Sequence, residues 1–207
     1  LTNAAININC STASGQVLND TVSFTGFVMT SAIASTAPVV YITGTGLFST
    51  YLIGCNIISN SVNAAAHAVS CDAVPAGATL PRIELRGCNT NVTSGSSAAL
   101  SLQGYRGNWY VTDCDISSLS TNNSLMSFSN NATCVVSRSL LEGIANAPVV
   151  VVSGTNVYPA IKFAMDDSTI SNSNSSGASA HGINLATSGM FAMFTSPVFN
   201  VLNNGAA

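Results

Sequence analysis

"WYVTDCDISS", residues 109–118, sets Asp113 and Asp115 on either side of Cys114 in a chain that is only 6% charged. Alone, the stretch reads as a carboxylate pair around a thiol. Its neighbours give it another meaning. "YLIGCNIIS" (51–59) and "IELRGCNTN" (83–91) have the same outline, with Cys55 and Cys88 in the place of Cys114. The unit recurs as Leu52–Ile57, Leu85–Thr90, Val111–Ile116, Val135–Leu140 and Met165–Ile170. Cys55, Cys88, Cys114, Arg138 and Ser168 are its reference positions, and no two successive steps between them are the same length.

A second strand-like run alternates with the first. Anchored on Val40, Val69, Leu100, Met126, Val150 and Ile183, it advances together with the first series. Polar runs such as "SNSVNA" and "SNSNSSGAS" separate the two. Short Val/Ile/Thr-rich segments with period-two alternation argue for strands, and no Ala/Leu/Glu/Lys stretch supports a helical repeat. A recurring period with two or three strands in it is the mark of a β-solenoid. The fold expected is all-β, a single-stranded right-handed parallel β-helix of about six coils and roughly 28 residues per coil. It forms one domain over 1–207, with the repeat core at about 20–190 and a cap or contact segment at 190–207.

Leu52 and Ile57 are both apolar but five apart, so a straight strand would put them on opposite faces. A corner at Gly54, Gly87, Asp113, Ser137 and Asp167 removes the conflict, because Gly, Asp and Ser suit turns. Cys55, Cys88 and Cys114 then point inward as a stacked column, and Arg138 interrupts it. Buried thiols packed as small hydrophobes and a disulfide between coils both fit that column. No CxxC or Cys/His cluster suggests a metal.

Composition excludes further classes. Five Lys plus Arg against 8 acids, a net charge of −3, cannot form the basic face of a nucleic-acid binder. No segment has the length of a membrane span. Six N-x-S/T sequons, at Asn9, Asn19, Asn91, Asn122, Asn131 and Asn174, suit a secreted glycoprotein, although this Asn/Ser/Thr-rich composition generates sequons by chance as well. The chain starts within "AININC" and stops at "NNGAA", which reads as a processed product or a piece of a longer one.

By its coil length, its L-x-G/D-C-x-I step and its loop pattern, the chain resembles the right-handed, pectin-lyase-like parallel β-helix superfamily over residues 20–190. In composition it is also similar to large β-helical surface proteins of protists and to viral fibres. The resemblance implies a search for polygalacturonase-type acids. Asp166, Asp167 and the Ala180-His181-Gly182 step are the candidates, since two carboxylates at a suitable separation serve as general acid and base. Ala180 replaces the family's first Gly, and no Lys or Arg follows Lys162 to hold an anionic sugar.

Trp109, Tyr110 and Tyr105 read either as a sugar-stacking platform or as a packed edge. Arg82, Glu84 and Arg86 alternate along one strand, so Glu84 can bridge both arginines from an exposed face.

The function expected is that of a non-enzymatic extracellular structural protein, a rigid segment used for adhesion or assembly at a cell surface, appendage or virion. It needs no cofactor. Its partners are further copies or domains at the β-helix ends, and glycans. A polysaccharide hydrolase or lyase and a viral fibre, spike or capsid-associated protein are the alternatives.

Overall fold

The computed structural model describes residues 4–9, 20–44, 48–72, 80–95, 99–153, 161–173, 182–186 and 191–201. Among these the regular structure is all β, and every strand pairing is parallel. The chain winds as a parallel β-solenoid with three faces.

The first face carries Ile6–Asn9, Val40–Thr43, Val69–Cys71, the start of Leu102–Thr112, the start of Met126–Ser137, Val150–Val152 and Ile183–Leu185. The second carries Asp20–Thr25, Phe48–Ile53, Arg82–Arg86, the later halves of Leu102–Thr112 and Met126–Ser137, Ile161–Asp166 and Phe191–Thr195. The third runs from Val28–Thr30 through Asn56–Ser59, Asn89–Val92, Asp115–Ser118, Leu140–Gly143 and Thr169–Asn172 to Val198–Val201. Two long strands cross from the first face to the second, which joins those faces into one sheet.

Successive third-face strands start at Val28, Asn56, Asn89, Asp115, Leu140, Thr169 and Val198, a spacing close to the expected coil length. Parallel pairing at about 4.8 Å per rung stacks like on like. On the second face Leu52, Leu85, Val111, Val136 and Met165 form one inward row. On the third, Ile57, Thr90, Ile116, Leu141 and Ile170 form another. All ten side chains are buried. Alternation in sequence thus becomes a dry core, because each strand turns every second residue to the interior.

Two expected positions shift. The first-face partner of Val69 and Met126 is Leu102, not Leu100. Leu100 is also buried, in the segment before the strand, so hydrophobicity alone does not separate the two. At the other site, Leu140 pairs with Asp115 and Thr169, which puts Ser139 in the cysteine column and Arg138 at the corner. Arg138 therefore does not interrupt the column, and Ser137 is not the corner. Ser137 lies in an outward row, its hydroxyl 3.2 Å from that of Thr112.

Candidate functional site

The corner between the second and third faces has the same left-handed backbone in each described rung. Gly26, Gly54, Gly87, Asp113, Arg138, Asp167 and Ser196 occupy it, with φ between 43° and 71°. The left-handed conformation there lets two residues turn the chain, at a cost of about 1 kcal/mol or more for a residue with a Cβ. Their N–H groups donate to the next rung: Gly54 to Arg86 O, Gly87 to Thr112 O, Asp113 to Ser137 O, Arg138 to Asp166 O and Asp167 to Thr195 O.

Immediately after the corner comes the inward column Cys55, Cys88, Cys114, Ser139 and Ser168, all buried. A hydrogen-bond ladder links its members. The Cys88 N–H donates to Cys114 Sγ at 3.4 Å, the Cys114 N–H to Ser139 Oγ at 3.0 Å, and the Ser139 N–H to Ser168 Oγ at 3.0 Å. Each thiol or hydroxyl in turn donates to the carbonyl two residues back, as Cys114 does to Thr112, Ser139 to Ser137 and Ser168 to Asp166. Ser and Cys interchange here because both combine small size with a donor and an acceptor. No disulfide joins Cys55, Cys88, Cys114 or Cys134. The side-chain hydrogen bond between the Cys114 and Cys88 thiols, together with burial, pushes the Cys114 thiol well above the ordinary range, and burial does the same to Cys134. Neither is a reactive thiolate. Cys10 lies outside the described residues.

Asp166 and Asp167 sit side by side on the exposed surface of this corner. Arg138 there pairs with Asp113 of the preceding rung, through contacts of 2.7 and 2.9 Å that hold the Asp113 carboxyl below its usual pKa. Neither Asp166 nor Asp167 lines the recess described below. His181 lies outside the described residues. Among the described residues, no group of three His, Cys, Asp or Glu is arranged to hold a metal ion.

The aromatic platform does not form. Trp109 is fully buried, packed edge-on against Phe128 with ring centroids 5.5 Å apart, and its Nε1–H donates to Arg106 O. Tyr110 faces outward under the Arg82 guanidinium, 4.0 Å above its ring. Glu84 does bridge Arg82 and Arg86, at 2.8 and 2.9 Å, but its side chain is buried and only the arginines are exposed. Of the sequons, Asn122 is exposed in a connection, and Asn9 is exposed at the end of a first-face strand. Asn91 is half-buried within a third-face strand, and its Oδ1 is buried with no partner. The Asn131 side chain, Asn19 and Asn174 lie outside the described residues.

A concave feature of the surface lies elsewhere. On the outer side of the first face, parallel pairing stacks Asn7, Tyr41, Ser70 and Gln103 in one row. Beside that row, Thr36–Pro38 and Ala65–His67 enter from the third-face connections, and together they enclose a recess of about 500 Å³. Its polar groups are held in place. The Tyr41 hydroxyl donates to Asp72 Oδ2 at 3.1 Å, and Ser70 Oγ donates to Gln103 Oε1 at 2.7 Å. The Leu100 N–H donates to His67 Nδ1 at 2.9 Å, which leaves the ring proton on Nε2. Burial pushes the His67 pKa down to about 4. Burial and the Asp72 carboxylate hold the Tyr41 phenol above its usual value.

None of these residues stands out in the sequence. The signal that would find them is the outward row one residue after each first-face anchor, and an anchor at Leu100 points to Ser101 in place of Gln103.

The fold defines a parallel β-solenoid protein with a hydrogen-bonded corner and a lateral recess. Comparison with protein-family models, with curated proteins and with solved structures finds no match.

Proposed function

We propose that the chain is a non-enzymatic structural segment of an extracellular surface protein, appendage or particle, a rigid rod that works by adhesion or assembly. One observation carries the reading: the left-handed corner recurs in seven described rungs, and from Gly26 through Asp167 its backbone N–H donates to the next rung, which holds the inner rows in register. Rigidity along a repeat is what a spacer or fibre element needs. The inner rows reach the last described rung as Phe194 and Phe199, which pack on each other at 6.0 Å yet remain 40% and 50% exposed. An apolar cross-section of this kind suits continuation by another subunit or domain. The likeness in composition to β-helical surface proteins and viral fibres, together with the sequons, supports an extracellular or virion setting.

Sedimentation over a wide concentration range tests the reading. Association that Phe199→Asp weakens by at least about tenfold is the expected result. A monodisperse monomer at every concentration would count against it. Polysaccharide turnover that disappears in Asp167→Ala would sink the non-enzymatic part.

A further inference from the structure

The recess on the first face has a chemistry that selects its occupant. Among the described residues Asp72 is the one formal charge in its lining, and no Lys or Arg lines it. An anionic ligand such as a phosphate or a uronate would meet the carboxylate with no cation to offset it. A cationic amine would find Asp72, but it would also face the N–H donors of Gln103 and His67, which repel it. A neutral, hydroxyl-rich ligand satisfies both kinds of group. Its hydroxyls donate to the Asp72 oxygen that Tyr41 leaves open and accept from the Gln103 amide.

The orientation of those groups is set before a ligand arrives. Because Ser70 holds Gln103 Oε1, the amide NH₂ is turned away from Ser70. Because Tyr41 holds one carboxylate oxygen, the other is the acceptor on offer. Ala37, Pro38, Ala65 and the Tyr41 ring supply an apolar wall beside these polar atoms. Such a wall packs against the C–H face of a pyranose ring, and the volume lies in the range of small-molecule sites.

We propose that this recess binds a neutral saccharide, with Tyr41 and Pro38 against its apolar face and Asp72 and Gln103 bonding its hydroxyls. This goes beyond the rod reading and does not depend on it, since the recess is complete within one chain. It names the partner through which such a rod would adhere.

The test applies the intact chain to an array of neutral mono- and oligosaccharides printed beside uronate oligomers and polyamines. Titration calorimetry on the best ligand then follows. Neutral saccharides should bind, with Asp72→Asn and Gln103→Ala each weakening affinity by about tenfold, the equivalent of one hydrogen bond to a charged or amide group. Asp166→Asn, on the far corner, should leave affinity unchanged. Thermal melts of both recess variants establish that they are folded, and neither touches the core. Absence of neutral-saccharide binding, stronger binding of uronates or polyamines, or full affinity in both folded recess variants overturns the proposal. None of these results alters the sedimentation outcome that decides the rod reading.

Discussion

Between the second and third faces each described coil turns through two residues, the first left-handed and the second, from Cys55 to Ser168, inward. Between the third face and the first, the connections differ from coil to coil, being longer from Thr30 to Val40 and from Asn172 to Ile183 than from Gly143 to Val150. The first kind of turn is specified by backbone geometry and repeated hydrogen bonds, so it varies in side chain but not in length. The second is tied down by individual side chains. Ser59 Oγ donates to Ala66 O, and Asn172 Nδ2 donates to the carbonyls of Ala145 and Ala147. Length is free to vary there, and the recess forms where two of those connections flank an outward row. One side of the coil keeps the solenoid in register while the other carries its individuality.

The contrast can be broken in order of expected effect. The largest effect lies between the two sides, at Trp109, just past the crossing from the first face to the second. Trp109→Ala removes a fully buried ring and leaves a cavity, at a cost of about 3–5 kcal/mol read from the urea midpoint. Gly104 lies against the same ring. A Cβ there would come 2.7 Å from Trp109 Nε1 and 2.5 Å from Phe128 Cδ1, so the space is already full.

Acid should act next, and on the loop side. His67 is neutral when folded, with a pKa of about 4, and returns to about 6.5 when unfolded. The unfolded state therefore binds the extra proton as pH falls between those values. Its stabilising contribution is full above pH 6.5 and falls by up to about 1.4 kcal/mol per pH unit toward pH 4. In His67→Gln that slope should flatten, as denaturant midpoints measured across this range would show.

On the corner, Ser139→Ala leaves the buried Cys114 N–H without its acceptor and should cost about 1–3 kcal/mol. Ser139→Cys restores the residue type of the rungs before it and should recover most of that loss. Equal stability of the two variants would refute the ladder. Gly87→Val forces a β-branched residue to φ near 59° and should cost about 1–2 kcal/mol. Arg138→Gly relieves the same strain while giving up only an exposed ion pair, so it should move stability by less than about 1 kcal/mol. Smallest is a gain. Thr90 Oγ1 is buried without a partner in the row between Ile57 and Ile116, and Thr90→Val should stabilise by about 1 kcal/mol.

Much of the corner is legible in the sequence because glycine and aspartate advertise it. Gly54, Gly87, Asp113 and Asp167 are residues that tolerate positive φ, and each precedes a small inward residue. Arg138 carries no such cue. It holds a left-handed conformation while its guanidinium pairs with Asp113 in the rung before, and Ser137 beside it is the better turn former on paper. The recess is less legible. Tyr41, Ser70, Asp72 and Gln103 are ordinary outward residues of separate strands, and only pairing brings them together. Trp109 shows the converse: an aromatic triplet suggests a platform, but alternation puts its largest member inside.

The sequence by itself determined the period, the parallel stacking of short strands and the row of small residues after the corner. These follow from alternation and repeat, which are local properties of a chain that must bury every second side chain. Only the tertiary structure decided whether Arg138 or Ser139 enters the column, whether Leu100 or Leu102 leads the strand, and which polar residues share the recess. Each is a shift of one or two positions whose energy lies in hydrogen bonds to the rungs above and below, and no local pattern contains those partners.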